Sequence, residues 1–435
     1  MDAEQALDPR HDEPPASHGY GGNTICLFLR LLMSGVSLRG VPRVLAAIAE
    51  AFAVPLEIPH WTTGRLWLMR LGHAMLTMPL RPAKDWAWLA DHSVQIGQEK
   101  GLAILGIRLG DLPQQGRCLE AKDLHLVAWI PRKSWTRKEV DEALEDAARR
   151  TGVPRVIVDD HGVDLAGGVK FFQERHPQTV EIYDIKHKAA CLLKHRLEKE
   201  LRWQAFQRRI GQTRCAVQQT ELAFLVPPAP KPKARFMNLQ SQLAWADGVL
   251  DILREPPAEV QRWVRPQRLL EKLGWLKEFA APVAEWSEWQ QVVNTSVAFV
   301  NRHGVYRGAA KELRRQLPRK FVHASASALA KELRQFVARQ ARQAKPAERF
   351  PGSTEVLESC FGKLKVLEKQ QSQGGFTSFM LSFGAMLAKT TTTVVEAAMK
   401  HSATRDVYQW CKDHLGTTLF SQRKLAFAKG ATKPG

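Results

Sequence analysis

The stretch PRVIVDDHGVDL, residues 154–165, decides how the fold of this sequence is interpreted. Its first half is a short run of β-branched apolar residues, a composition typical of a buried strand. The run ends in two adjacent aspartates, Asp159 and Asp160, and a third, Asp164, follows after a His and a Gly. Carboxylates at the end of a buried strand are costly unless they are paired, hydrated or bound to a cation. The stretch therefore predicts a functional strand end.

The neighbouring segments predict alternating strands and helices. Three β-rich runs precede the stretch, WAWLADHSVQIG, KGLAILGIRLG and DLHLVAWIP, and an amphipathic helix capped by Thr136 and closed by Gly152 follows them. After the stretch come a glycine-containing helix, a fifth strand, TVEIYDIKH, and one long basic helix, KAACLLKHRLEKELRWQAFQRRIGQ. The order βββαβαβα predicts an α/β fold with a mixed five-stranded sheet flanked by helices.

The remaining segments predict helices. Residues 1–19 are polar and Pro-rich and predict a disordered tail. Residues 20–80 are helical in pattern, and their last helix opens with Thr62, Thr63 and Arg65, side chains that suit phosphates and base edges in a helix-turn-helix. No strand is predicted between 200 and 345, where several helices are strongly basic. The predicted segments are the tail (1–19), a DNA-binding domain (20–80), a core in two parts (81–199 and 346–435) and an α-helical insertion domain (200–345).

Composition narrows the class of protein. Lys and Arg number 63 against 44 Asp and Glu, a formal net charge of +19 that favours a nucleic-acid partner. The six cysteines form no CxxC pair, which favours a reducing compartment over a disulfide framework or a structural zinc site. The most apolar segment, FTSFMLSFGAMLA, is too short for a membrane span and predicts a buried helix. With no signal peptide at the N-terminus, we expect a cytoplasmic protein without a membrane partner.

Acidic residues recur at the predicted strands. Asp91 lies in the first strand, Asp159 and Asp160 end the fourth, and Asp184 ends the fifth. Carboxylates brought together repel one another, and divalent cations relieve the repulsion, so the pattern suits two Mg²⁺ ions in a phosphate-directed enzyme. We interpret Asp184 as structural.

A later helix carries a further carboxylate. Glu358, Gly362 and Lys365 share one helix face, and Glu355 lies on nearly the same face one turn earlier. Leu357, Phe361, Leu364 and Val366 are expected to form the apolar side. From helical spacing alone, either glutamate is a candidate.

Three motifs together resemble those of a known family, the DDE transposases of bacterial insertion sequences, which have a ribonuclease H-like catalytic core. LADHSVQIG resembles the first-Asp strand and indicates Asp91, and VDDHGVDLAGG resembles the second-Asp motif and indicates Asp160 rather than Asp159. STEVLESCFGKLK resembles the catalytic-Glu helix and indicates Glu358, with Lys365 seven residues later.

Two positions upstream of Glu358 differ from the residues that many members of that family carry. Many members carry a Tyr and an Arg upstream of the catalytic Glu, where this sequence has Pro351 and Thr354. The sequence therefore lies outside the subgroup that those two residues define. Asp160 and Glu358 are 198 positions apart, a spacing that resembles family branches with an insertion domain before the Glu helix.

The resemblance implies a metal-dependent transposase that cleaves transposon ends and joins the freed 3′-OH to target DNA. Asp91, Asp160 and Glu358 would be the catalytic residues and would hold two Mg²⁺ (or Mn²⁺) ions. The DNA-binding residues would be Lys363, Lys365, His187, Thr62, Thr63 and Arg65, although for His187 we favour a structural role. Double-stranded DNA would be the partner of a homodimer or larger synaptic complex, in the cytoplasm and associated with a bacterial nucleoid.

Three alternatives remain at this point. A metal-dependent, structure-selective nuclease of the same fold would share the acids without strand transfer. A domesticated, non-catalytic relative would bind DNA alone. An RNA-binding helical protein without catalysis would lack the βββαβ order of elements.

Overall fold

The computed structural model describes residues 14–15, 18–93, 99–229, 236, 239–369, 377–417 and 419–428. The chain folds as two compact units. The first contains the described residues up to 114, 118–182, and those from 354 onward; the second contains 115–117 and 183–353. We predicted an insertion domain at 200–345, and the longer segment of the second unit is Tyr183–Ser353. Within the described ranges, no helix is both long and apolar enough to cross a membrane.

The described residues form short strands, α-helices and 3₁₀ segments. The strands are β1 Trp86–His92, β2 Lys100–Arg108, β3 His125–Arg132, β4 Val156–Asp159, β5 Val180–Tyr183, β6 Val305–Tyr306 and β7 Arg349–Phe350. The helices are α1 Gly22–Met33, α2 Gly40–Phe52, α3 Trp61–Thr77, α4 Arg137–Thr151, α5 Val163–Arg175, α6 Ile185–Leu197, α7 Leu201–Val217, α8 Gln240–Arg254, α9 Ala258–Trp263, α10 Pro266–Leu273, α11 Ala280–His303, α12 Ala309–Gln316, α13 Ala324–Ala341, α14 Glu355–Lys369, α15 Thr392–His401, α16 Thr404–His414 and α17 Leu419–Ala428. Short 3₁₀ segments occupy Leu109–Asp111, Ala121–Asp123, Ala223–Leu225, Gly274–Phe279 and Thr377–Met386.

The first unit is built on a five-stranded sheet with the spatial order β3-β2-β1-β4-β5. Strand β1 runs antiparallel to β2 and parallel to β4, and β2 runs antiparallel to β3. The predicted α/β class with a mixed five-stranded sheet is therefore confirmed. The fourth strand is two residues shorter than the expected RVIVDD, because β4 begins at Val156 and ends at Asp159, which leaves Asp160 in the following turn. Residues 94–97 of the predicted first strand lie outside the described residues.

Helices α4 and α5 cover one face of this sheet. Helix α4 begins at a capping box in which the Thr136 hydroxyl accepts the Glu139 amide and the Glu139 carboxylate accepts the Thr136 amide. Apolar side chains of both helices pack on Trp88 and Ile157 in one buried core, together with Phe172 of α5. Alternate residues of β1 and β4 therefore face α4 and α5, and the residues between them face the other side.

The N-terminal helices belong to the core of the first unit. The connection between α2 and α3 is Ala53–His60, eight residues, which is longer than the roughly three to four residues of a helix-turn-helix. Packing rather than a tight turn therefore sets the position of α3. Arg70 donates to the carbonyl oxygens of Met399 and Ser402, both at 2.6 Å, and so closes the end of α15.

Among its described residues, the regular structure of the second unit is helical apart from Tyr183 at the end of β5 and one pair of two-residue strands. Strand β6 pairs antiparallel with β7, so the expectation of no strand between 200 and 345 is wrong at Val305–Tyr306. The expected single basic helix after the fifth strand is two helices, α6 and α7, separated at residues 198–200. In the first unit, the described part of the expected buried helix FTSFMLSFGAMLA contains a 3₁₀ segment over Thr377–Met386, and Phe376 lies outside the described residues.

Candidate functional site

Asp91 lies at the carboxyl end of the central strand. Its Cα pairs with Ala103 of β2, and Ala103 pairs with Trp129 of β3. Directly opposed residues on neighbouring strands project to the same face, so Asp91 faces the side of the sheet that carries the Trp129 indole. Asp91 is 8% exposed as a residue, and its Oδ1 accepts the His92 amide at 2.6 Å.

The same face is covered by the helix that carries Glu358. The Trp129 ring centroid lies 6.3 Å from that of Phe361 in α14 and 4.4 Å from that of Phe383 in the 3₁₀ segment. The Trp129 Nε1 donates to the Met380 carbonyl at 2.9 Å. The sheet face of Asp91 and the helix of Glu358 therefore belong to one packed layer.

Helix α14 orients its polar side chains by burying its apolar ones. The buried residues are Leu357, Cys360, Phe361, Leu364 and Leu367. Glu358 and Lys365 are half-buried and Lys363 is exposed. Val366 is 52% exposed, so its assignment to the apolar side was wrong.

Asp160 begins the turn after β4, the strand beside β1. Leu89 of β1 pairs with Val158 of β4. Asp91 and Asp160 each lie two residues further along and therefore follow on the same side of the sheet as this pair. The Asp160 Oδ1 accepts the Gly162 amide at 2.8 Å, and a Cβ on Gly162 would lie 3.1 Å from that oxygen. Glycine therefore suits the close approach of the turn to the Asp160 carboxylate.

The electrostatic environment links Asp160 to the end of β1. Burial, and next the charge of Lys100, lower the pKa of His92 to about 4, while the charges of Asp164 and Asp160 act in the opposite direction. Lys100 Nζ lies 3.6 Å from Asp164 Oδ2. The imidazole next to Asp91 is thus neutral near pH 7, and it lies within the field of the Asp160 carboxylate.

Asp159 belongs to the opposite face. It lies two residues after Ile157, whose side chain packs beneath α4 and α5, so strand alternation directs Asp159 away from Asp91. Its Oδ1 accepts the His161 amide at 2.7 Å, and the His161 Nε2 lies 3.1 Å from the Glu181 Oε1. Burial, and next the Glu181 charge, raise the pKa of the Asp159 carboxyl well above its usual value.

The carboxylates predicted to bind metal are not all gathered at contact distance. Among the described residues, one group of at least three metal-ligating side chains has ligand atoms that all lie within 4.8 Å of one another. This group is Asp159, His161 and Glu181. The set Asp91, Asp160 and Glu358 does not meet that distance. Two ions about 3.5–4 Å apart need ligands that span both of them, so a two-ion site does not require mutual contact of all its carboxylates.

The other predicted DNA-binding residues have structural contacts. His187 lies in the first turn of α6, where its amide donates to the buried Asp184 Oδ1 at 2.9 Å, so Asp184 is the N-cap of that helix. The Thr62 hydroxyl lies 2.7 Å from the His60 Nδ1 at the start of α3. The Arg65 guanidinium lies over the Phe379 ring at 5.8 Å. Thr63 is half-buried in the same turn.

A basic cleft in the second unit lies on two of the helical segments that the sequence marked as strongly basic. It has a volume of about 710 Å³ between α12 and α13 and is lined by six cations, Lys311, Arg314, Arg315, Arg319, Lys331 and Arg334. None of these six forms an ion pair within the described parts of the chain. The acids on the same helices are engaged elsewhere, because Glu312 accepts the Tyr306 hydroxyl and Glu332 pairs with Arg196.

No protein-family model matches the chain, and no curated protein sequence matches it either.

Proposed function

We propose that the chain is a DDE-type transposase with a ribonuclease H-like core. It binds double-stranded DNA, cleaves at transposon ends and transfers the freed 3′-OH to target DNA. The observation that carries the proposal is the layer in which Asp91 and the Glu358 helix share one sheet face, with Asp160 directly after the adjacent strand. The strand order β3-β2-β1-β4-β5, with two antiparallel pairs and then a parallel one, supports the fold assignment.

The donor set fits the proposed metal. Asp91, Asp160 and Glu358 supply only carboxylate oxygens, the ligands that Mg²⁺ and Mn²⁺ prefer. Bound there, two ions would activate the attacking oxygen and stabilise the leaving oxygen of a phosphodiester. The protein's own part is to fix the carboxylates, since β1 holds Asp91, the Gly162 amide orients Asp160 and the buried side of α14 orients Glu358.

Lys365 has a defined place in this proposal. It lies seven residues after Glu358, two turns further along the same side of α14, and is half-buried. Its ammonium group would bind a DNA phosphate beside the carboxylates. Lys363 is exposed on the same helix and would add a peripheral phosphate contact.

The basic cleft of the second unit supports DNA as the partner. Six cations that lack carboxylate partners in the described structure form a surface suited to a phosphate backbone. Neutralising Arg314 and Lys331 together should reduce the slope of log affinity against log salt by up to about 0.9 for each phosphate that the variant no longer neutralises. The control is Arg254→Gln, because Arg254 is exposed but already paired with Asp251. An unchanged slope in the double variant would remove the cleft from the DNA interface.

The catalytic assignment is tested with isosteric variants. The substrate is duplex DNA that borders the chain's own gene, incubated with Mg²⁺. Asp91→Asn, Asp160→Asn and Glu358→Gln should each lower the cleavage rate at least ~100-fold, the scale expected for loss of a group that organises transition-state charge. Glu355→Gln is the matched control in the first turn of the same helix and should cleave at the unaltered rate.

The outcomes separate the proposal from its alternatives. Cleavage that survives Asp91→Asn would refute the assigned carboxylates. Cleavage without joining of a labelled 3′-OH end would identify a nuclease of this fold. DNA binding without Mg²⁺-dependent cleavage would identify a non-catalytic relative.

A further inference from the structure

Asp159, His161 and Glu181 form a compact group on the sheet face opposite to Asp91. Each offers one ligand atom, and these atoms lie within 4.8 Å of one another. Asp159 is fully buried, whereas the side chains of Glu181 and His161 are 20% and 39% exposed. The group therefore runs from a buried carboxyl to an imidazole that solvent reaches.

Only one of the two Asp159 carboxyl oxygens accepts a hydrogen bond in the described structure. Its Oδ1 accepts the His161 amide, whereas its Oδ2 is buried and meets no hydrogen-bond donor in the described structure. The Glu181 carboxylate belongs to the same group, with a ligand oxygen within 4.8 Å of that of Asp159. Two carboxylates brought this close repel one another, and a cation between them relieves the repulsion.

We propose that Asp159, His161 and Glu181 bind one transition-metal ion of the borderline class, with Zn²⁺ as the preferred ion. One imidazole nitrogen and two carboxylate oxygens form a three-ligand set typical of such ions, with a fourth position left for water on the exposed side of His161. Ligand bonds of about 2.0–2.2 Å place neighbouring ligand atoms of a tetrahedral ion about 3.3–3.6 Å apart. The separation of 3.1 Å between the His161 Nε2 and the Glu181 Oε1 is slightly shorter, so a small outward movement of the exposed imidazole would reach that spacing.

The inferred site differs from the proposed catalytic one in position and chemistry. It includes a nitrogen donor, and it lies beneath α5 rather than beside α14. An ion bound there would fix the turn from Asp159 to Gly162, which also carries Asp160. That positioning effect rests on the proposed function, whereas metal binding itself does not.

The test uses the full chain with Asp91→Asn, Asp160→Asn and Glu358→Gln combined, which removes the proposed catalytic ligands. Equilibrium dialysis against Zn²⁺ with elemental analysis should give one ion per chain. Co²⁺ in its place should produce visible absorption bands of a site with a nitrogen ligand. If the triple variant binds no ion while its circular dichroism remains that of the unaltered chain, the inference is overturned. Failure of the transposase proposal would leave this stoichiometry unchanged.

Single changes then assign the ligands. On that background His161→Asn, chosen because Asn tolerates the positive φ of +57° at this position, should weaken Co²⁺ binding at least about tenfold, and so should Glu181→Gln. The control His176→Asn alters another His–Glu pair, with Glu145, and should bind Co²⁺ as before. Equal Co²⁺ affinity in His161→Asn and His176→Asn would refute the site. Should a variant fail to fold, paramagnetic shifts of the His161 ring protons by Co²⁺ in the unaltered chain decide the question, and their absence refutes the site.

Discussion

Replacing Trp129 by Ala tests the packing that holds the Glu358 helix on the sheet. The indole is 2% exposed, its ring centroid lies 4.4 Å from that of Phe383 and 6.3 Å from that of Phe361, and its Nε1 donates to the Met380 carbonyl at 2.9 Å. Loss of a buried aromatic side chain costs about 3–5 kcal/mol, and an unsatisfied buried carbonyl adds about 1 kcal/mol. We expect Trp129→Ala to lower the free energy of unfolding of the first unit by about 4–6 kcal/mol.

Urea denaturation followed by far-ultraviolet circular dichroism measures this change. Trp129→Phe keeps an aromatic ring in place and loses only the N–H donor, so we expect a smaller loss of about 1–2 kcal/mol. The control is Trp263→Ala in the second unit, because that side chain is 63% exposed; it should cost less than about 1 kcal/mol. If Trp129→Ala is no more destabilising than Trp263→Ala, the sheet face of Asp91 does not hold α14 as described.

Two further predictions concern the two units separately. Gly72→Ala should destabilise the first unit by at least about 3 kcal/mol, because its Cβ would lie 2.0 Å from the Leu381 carbonyl oxygen. The control Gly248→Ala has no atom within 4 Å of its Cβ and should stabilise α8 by about 0.5–1 kcal/mol. Thermal unfolding compares the two variants, and equal shifts in melting temperature would contradict the close approach at Gly72. In the second unit, burial of Glu288 acts to raise its pKa, but hydrogen bonds from the His323 amide, the Val322 amide and the His323 ring together lower it. Glu288→Gln should therefore cost about 1–3 kcal/mol at neutral pH. A carboxyl whose pKa is lower in the folded protein than the unfolded-state value of 4.5 stabilises the fold at pH values above 4.5, and this stabilisation is lost as the pH falls through the folded-state pKa. The difference in unfolding free energy between the unaltered chain and Glu288→Gln should therefore shrink below about pH 4.5. A pH-independent difference in urea titrations would show that the Glu288 charge is not involved.

The sheet was predictable because its signals are local. The β-branched and aromatic runs of β1 to β5 are short and bounded by turn residues, and the capping box at Thr136 marks the start of α4. Parallel β1 and β4 then require a helical crossover between strands, which restricts the strand order. The α/β class and the mixed sheet follow from these features alone.

The features that the sequence predicted wrongly depend on tertiary packing. Residues 198–200 separate α6 from α7 without a Pro or Gly, so no local breaker marks the boundary. Val366 lies two residues after the buried Leu364, about 200° further around α14, which explains its exposure. The pairing of β6 with β7 joins segments more than 40 positions apart, beyond the range of any periodicity in the sequence.

The candidate sites also differ in whether they depend on local sequence or on long-range packing. The Asp160 to Asp164 spacing is local, and the motif containing Asp160 was readable from the sequence. The group of Asp159, His161 and Glu181 was not, because it depends on the strand beside β4 and on the positive φ of His161. The one available signal was Glu181, a charged residue inside a predicted strand.

The most direct test of the central claim is strand transfer by the purified chain. A labelled duplex with a free 3′-OH at the end of the DNA bordering its gene is incubated with plasmid DNA and Mg²⁺. We expect covalent joining of the label to the plasmid, lost in Asp160→Asn and retained in Glu355→Gln. Joining that persists in Asp160→Asn, or its absence from the unaltered chain bound to the same DNA, would contradict it.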